Sequence, residues 1–160
     1  MEHTLQIGDR VAVDMRAYGL RVPFTELKLM ETSTPQRGDI AVFASPQDGT
    51  RLIKRVAAVA GDAVELVDGR LSINGVAMAT LEADYTEVFR HHRATLNLNH
   101  GGGPDIHGLV IPEGQVLMLG DARGNSVDGR FFGLVPAGDL YGRAVAVYYR
   151  RGEGLGWIDL

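Results

Sequence analysis

Apolar and polar residues alternate along most of this chain with a period of two, which is typical of β-strands that bury one face. Asp68-Gly69 and Asn74-Gly75 interrupt the alternation and are strong signals for tight type I′ hairpin turns. Helical periodicity is scarce, with one or two turns at most over residues 24–30. Strands are predicted at residues 9–15, 39–44, 51–59, 64–67, 70–73, 76–79, 115–119 and 143–149. Many short strands joined by hairpins predict a mainly β, antiparallel fold of complex topology.

The stretch from residue 81 to 107 differs in composition from the segments on either side, because it is polar, rich in His and interrupted by a glycine triplet at 101–103. We expect it to form a small inserted lobe or loop. The triplet follows no βα unit, so we interpret it as a flexible loop and not as a nucleotide cradle. The predicted organisation is a discontinuous β core at 1–80 and 108–150, the lobe at 81–107 and a C-terminal tail at 151–160.

The composition of the chain excludes several classes of function. The 160 residues suffice for one compact domain, and a formal charge of −4 argues against nucleic-acid binding. Cysteine is absent, which excludes disulfides, a thiolate nucleophile and cysteine metal sites. His residues lie near acidic ones, including Glu87, but their spacing matches no zinc motif, so we expect no metal and no cofactor. No run is long enough to span a membrane, and we expect any anchor to lie outside this sequence.

One lysine occupies an unusual position. On a strand over residues 51–59, Lys54 shares a face with Leu52, Val56 and Ala58. Burial disfavours the ammonium form and lowers the pKa of a lysine below about 10.4, so that a neutral amine can accept a proton from a hydroxyl. The alternative is a lysine on a solvated strand whose tip reaches water.

A second segment, residues 120–133, carries more polar groups than a simple turn needs. Asp121 with Arg123, and Asp128 with Arg130, are spaced to brace one another. Ser126 would then be held where its hydroxyl can orient a lysine amine. The alternative is a surface turn closed by ordinary ion pairs, each of which contributes little.

Three boxes, in order along the chain, resemble those of type I signal peptidases, the Ser/Lys proteases of peptidase family S26 that remove signal peptides from exported proteins. They are Arg-Gly-Asp-Ile-Ala-Val-Phe at 37–43, Leu-Ile-Lys-Arg through Gly-Asp at 52–62, and the polar box at 120–136. The third departs from the family pattern at Ala122, Gly124 and Gly129. The likeness covers most of the chain and is weakest over residues 81–107.

The resemblance implies a role for each matching residue. Lys54 is expected to be the general base and Ser126 its hydrogen-bonding orienter, beside a structural ion pair of Arg55 with Asp121. The residues expected to support the loop are Arg123, Asn125, Asp128 and Arg130. The residues expected to line shallow pockets for small side chains before the cleavage site are Met1, Leu5, Leu52 and Ile53.

The nucleophile of the resembled family is the Ser of Ser-Met-x-Pro-Thr-Leu. This chain opens at the Met of that box, with His3 in place of Pro, so the serine would stand immediately before Met1. We therefore expect the chain as written to be truncated after its nucleophile and to cleave no peptide. The resemblance implies signal-peptide-bearing preproteins bound as an extended strand, contact with the membrane surface, and a location on the extracytoplasmic face of the cytoplasmic membrane.

Two other interpretations remain. If the native protein itself lacks the serine, it is a non-catalytic relative that binds or helps assemble exported or pilin-type precursors. A self-cleaving Ser/Lys repressor shares the same chemistry, but neither a DNA-binding domain nor an internal cleavage site is visible in the sequence.

Overall fold

Antiparallel strands account for nearly all of the regular structure, as predicted. A computed structural model describes residues 1, 3–21, 28–30, 32–80, 83–90 and 92–160. The strands are β1 (Arg10–Asp14), β2 (Leu20–Arg21), β3 (Lys28–Met30), β4 (Ile40–Ala44), β5 (Arg51–Val59), β6 (Ala63–Val67), β7 (Arg70–Ile73), β8 (Val76–Ala77), β9 (Ala79–Thr80), β10 (Ala83–Phe89), β11 (His92–Thr95), β12 (Ile106–Val110), β13 (Gln115–Leu119), β14 (Val135–Pro136), β15 (Gly142–Arg150) and β16 (Gly154–Asp159). A short helix, α1 (Gly129–Phe132), and two 3₁₀ turns, Arg123–Asn125 and Ala137–Asp139, complete the described elements.

The largest sheet has the order β1-β15-β4-β5-β13-β14, with β16 paired to β15. Strand β5 lies between β4 and β13, where Lys54 is opposite Ala41 and Arg55 is opposite both Ile40 and Leu119. Each of these pairings is antiparallel. The sheet therefore holds the lysine of the second box on a central strand, next to the strand that leads into the polar box.

Two hairpin turns form where the sequence predicts them. Asp68 and Gly69 have φ values of +50° and +76°, and Asn74 and Gly75 have +53° and +78°. Type I′ turns require positive φ at both central positions, which Gly, Asn and Asp tolerate best. These turns join β6, β7 and β8 into a four-stranded sheet with β12.

The segment predicted as a lobe contributes to the core. Its strands β10 and β11 form a hairpin, and Phe89 and Ala94 are buried in one cluster with Leu66, Leu71 and Leu117. The second cluster lies around Phe43, Val56, Met118 and Leu140. The boundary drawn between core and lobe stays a prediction.

Gly102, the middle residue of the glycine triplet, packs closely against its neighbours, which differs from our interpretation of a merely flexible loop, whereas a Cβ on Gly101 would meet nothing within 4 Å. A Cβ built on Gly102 would overlap the backbone of Asp68 and Gly69, and one built on Gly124 would overlap the carbonyl of His100. These glycines permit backbones to approach each other where a side chain would not fit.

Two predictions of local structure differ from the structure. Residues 28–30, expected in a helical turn, form β3, while residues 22–27 lie outside the described part of the chain. Residues 154–159, expected in a tail, form β16, in which Ile158 is opposite Val147 of β15. The end of the chain is therefore an added strand of the main sheet.

Candidate functional site

The site forms where β5 meets the loop that follows β13. The Nζ atom of Lys54 lies 2.8 Å from the Oγ atom of Ser126, although 72 positions separate the two residues in sequence. Both side chains are partly buried. The contact joins the second and third sequence boxes at a single pair of atoms.

Burial lowers the pKa of Lys54 below its ordinary value of 10.5. The carboxylate of Asp128 opposes this, Arg130 acts in the same direction as burial, and Asp121 adds a weaker opposing charge. Because burial is the largest of these effects and the net change in pKa is downward, more of the amine is neutral at a given pH than in an exposed lysine. A neutral amine in a hydrogen bond to a hydroxyl is a competent proton acceptor.

Asp128 and Arg130 form a buried ion pair that stabilises the loop at residues 120–133. Both side chains are fully buried, and Arg130 donates from Nε and Nη2 to Asp128 at 2.8 Å each. Asp128 also accepts from the backbone N–H of Gly120 at 2.9 Å and caps α1. Burial alone raises the pKa of Asp128, but its hydrogen bonds from Arg130 and Gly120 hold that pKa below its usual range. The carboxylate therefore stays charged and ties both ends of the loop together.

Arg55 and Asp121 form a second buried ion pair beside Lys54. Arg55 donates from Nε and Nη2 to Asp121 at 3.0 and 2.8 Å, and from Nη1 to the carbonyl of Gly38 at 2.9 Å. Burial acts to raise the pKa of Asp121, but the bonds and charge of Arg55 keep that pKa low. The pair links β5 to the box at 37–43.

The amino-terminal turn lies against this pair. Thr4 donates its hydroxyl to Asp121 at 3.1 Å, and the carbonyl of Met1 accepts from the N–H groups of Thr4 and Leu5 at 2.9 and 2.6 Å. Arg150 of β15 donates to the Thr4 carbonyl at 3.3 Å. The first residues of the chain are thus held next to the strand that carries Lys54.

Arg123 has a different partner from the one expected. The spacing predicts that it braces Asp121, but its Nη2 donates to Glu87 at 2.6 Å, while Arg55 donates to both oxygens of Asp121. Glu87 was missed as part of this network. Its only sequence signal is its place two residues before Phe89, which puts a carboxylate on the buried face of a strand.

The side chains of the remaining residues predicted for the site take no part in the hydrogen bonds described above. Asn125 is exposed, and its backbone N–H donates to the carbonyl of Ala122 at 3.0 Å. The four side chains expected to line substrate pockets are all partly buried. These are Met1, Leu5, Leu52 and Ile53. Their contact with substrate stays a prediction.

Gly120 was also missed as a residue of the site. A Cβ built on it would overlap the Oγ and Cβ atoms of Ser126. The absence of a side chain at Gly120 therefore makes room for the serine that contacts Lys54. The sequence signal was its place between the end of β13 and the polar box.

Two further observations concern ligands and membranes. Among the described residues, no group of three or more His, Asp or Glu side chains is arranged to hold a metal ion. Within the same part of the chain, no helix has the length and hydrophobicity that a bilayer crossing requires.

Comparison with known proteins identifies relatives. The model of the family described as signal peptidase, peptidase S26, matches residues 1–149. Signal peptidase I of Pseudomonas fluorescens is 35% identical over 174 residues, covering 92% of this chain and 61% of the relative. The same protein of Pseudomonas aeruginosa is 32% identical, with equal coverage. A crystal structure of a signal peptidase I from Enterococcus faecalis has 33% identity and a TM-score of 0.49, covering 69% of this chain and 97% of that one. The chain spans about three fifths of the length of the curated relatives it matches.

Proposed function

Because this chain belongs to the signal peptidase family, peptidase S26, we propose that it is the catalytic domain of a serine endopeptidase that removes signal peptides from exported preproteins. In this proposal Lys54 is the general base and Ser126 orients it. The observation that carries the assignment is the 2.8 Å contact between Lys54 Nζ and Ser126 Oγ, on a lysine whose pKa burial lowers.

The proposed reaction is acyl transfer through a serine directly before Met1. Neutral Lys54 accepts the proton of that serine as its oxygen attacks the scissile carbonyl carbon. The C–N bond then breaks, and the lysine returns the proton to the leaving amine. Water, activated by the same amine, hydrolyses the ester. The position of the amino-terminal turn supports this assignment, since Thr4 contacts Asp121, which lies in the loop that carries Ser126.

The proposed substrate binds as an extended strand, with small residues before the cleavage site in shallow pockets lined by Met1, Leu5, Leu52 and Ile53. The proposed location is the extracytoplasmic face of the cytoplasmic membrane. Large apolar side chains exposed at both ends of the chain support docking at a bilayer, and they include Ile7 and Trp157.

The test is a chain extended by one serine before Met1, incubated with a purified preprotein whose signal peptide ends in Ala-x-Ala. We expect a single cut after that motif. The variant Lys54→Ala, made in the extended chain, should not cut. If the folded extended chain leaves the preprotein intact but binds it, the non-catalytic alternative replaces this proposal.

A further inference from the structure

Glu87 is a buried carboxylate at some distance along the chain from every sequence box. It lies on β10 and is 0% exposed. Burial raises the pKa of Glu87, and the charge and hydrogen bond of Arg123 oppose that rise, since an ionised carboxylate is almost never fully buried unless it is paired. Its Oε2 accepts from Arg123 at 2.6 Å, and its Oε1 accepts from the N–H of Leu71 at 3.3 Å. Glu87 therefore connects the β10–β11 hairpin to the loop of the proposed active site.

The guanidinium that pairs with Glu87 also donates hydrogen bonds to two backbone carbonyls. Arg123 is 2% exposed, and it donates from Nε to Gly69 at 3.0 Å and from Nη1 to Gly120 at 2.6 Å. Its own carbonyl accepts from Arg130 at 2.6 Å. Glu87 thus fixes the orientation of a guanidinium that holds Gly120 in place.

The position of Gly120 determines where Ser126 fits. The two residues are so close that a Cβ on Gly120 would overlap Ser126 Oγ, and Asp128 accepts from the Gly120 N–H. A displacement of Gly120 therefore moves the serine hydroxyl relative to Lys54 Nζ. Buried ion pairs are often no more stabilising than well-packed apolar residues, so stability alone does not explain this one.

We propose that Glu87 is a positioning residue that, through Arg123 and Gly120, aligns the Ser126 hydroxyl on the Lys54 amine. The consequence for reaction rate rests on the function proposed above. The geometric part concerns this chain alone and can be measured without any peptidase activity.

The geometric test uses NMR on the chain itself, with the nuclear Overhauser effect between the Lys54 Hε and Ser126 Hβ protons as the probe. Glu87→Gln keeps the shape of the side chain and removes its charge. We expect this variant to abolish the signal, because a displaced Ser126 would lie too far from Lys54 for the effect to be observed. The matched control is Glu65→Gln, which removes an exposed carboxylate paired with His107 at 3.1 Å and should keep the signal. A folded Glu87→Gln variant with the wild-type signal overturns the proposal.

The kinetic test uses the serine-extended chain. A misplacement of about 1 Å can cost about 100-fold in rate, so we expect Glu87→Gln to lower kcat by about 10- to 100-fold while KM changes by less than about twofold. Unchanged kcat in the folded variant contradicts the proposal. If the extended parent cleaves nothing, the function proposed above fails, and the NMR signal alone decides the role of Glu87.

A second variant covers the case in which Glu87→Gln does not fold. The double variant Glu87→Leu, Arg123→Met removes both charges and leaves neither unpaired, which buried sites often tolerate. It lacks the anchor on Gly120, so we expect the folded double variant to lose the Lys54–Ser126 signal. Retention of that signal overturns the proposal.

Discussion

The protonation state of Lys54 determines when the proposed site can act. The ammonium form has no lone pair, so activity rises with pH as the fraction of neutral amine grows. Because burial lowers the pKa of Lys54, that rise should be centred below the ordinary 10.5. The measurement is kcat/KM of the serine-extended chain against a signal-peptide substrate from pH 5 to 11.

The control for this profile is Lys54→Arg. A guanidinium stays protonated at every pH in that range, so the variant should be inactive throughout. A wild-type profile whose rising limb is centred at or above 10.5 would contradict the role of burial at Lys54.

Gly120 offers a steric test of the same contact. In Gly120→Ala the new methyl group overlaps Ser126 Oγ, so we expect the serine to move off Lys54 and kcat to fall by about 100-fold. Crowding should also cost about 1–3 kcal/mol of unfolding free energy. The matched control is Gly138→Ala, because a Cβ there meets nothing within 4 Å. Equal activity in the two alanine variants would rule out the steric argument.

The loop between β13 and α1 depends on one buried carboxylate. Asp128→Asn leaves the buried guanidinium of Arg130 without its counter-charge, and removing one partner of such a pair costs about 3–5 kcal/mol. We expect a loss of that order in unfolding free energy, measured by urea denaturation. In the control, Asp14→Asn, the lost pair with Arg16 is exposed, so the change should stay within about 0.5 kcal/mol. Similar losses in both variants would show that Asp128 does not hold the loop.

Strands with regular alternation and strong turn signals were predictable from sequence. The pattern located β5 with its bounds, and Asp68-Gly69 located the turn between β6 and β7. Strand β16 was missed because nearly all its residues are exposed, so no buried face marks it. Strands β10 and β11 were not predicted either, because the polar composition of residues 81–107 indicated a loop. Their formation depends on pairing with each other and on tertiary contacts, neither of which composition can indicate.

The proposed site was predictable only in part. The resemblance to the family's sequence boxes indicated that Lys54 and Ser126 belong together, and a lysine on an apolar strand with a remote, glycine-rich polar loop favoured the same pairing. It could not indicate Glu87, which is 36 positions from Arg123. Nor could it assign the partner of Arg123 correctly, because Asp121 is nearer in sequence but is already occupied by Arg55.

Strand β1, near the start of the chain, and strand β16, near its end, both pair with β15. Tyr149 of β15 is opposite Arg10 of β1 on one side and opposite Leu155 of β16 on the other. Near these positions Ile7, Leu155 and Trp157 are 95%, 84% and 63% exposed. We define these three side chains as the docking surface. Leu155 and Trp157 lie two residues apart on β16. The molecule thus presents apolar side chains from two elements that sequence separates by almost its full length.

If the docking surface meets the bilayer, the double variant Leu155→Ser, Trp157→Ser should bind vesicles of phosphatidylethanolamine and phosphatidylglycerol more weakly. Burying one large apolar side chain contributes about 1.5–3 kcal/mol, so we expect the partition coefficient to fall at least about tenfold in co-sedimentation. The control is Val76→Ser, which removes a side chain that is 66% exposed on β8, in a different sheet. An equal fall in both variants would point to general hydrophobicity, and no fall in either would exclude this face as the contact with the membrane.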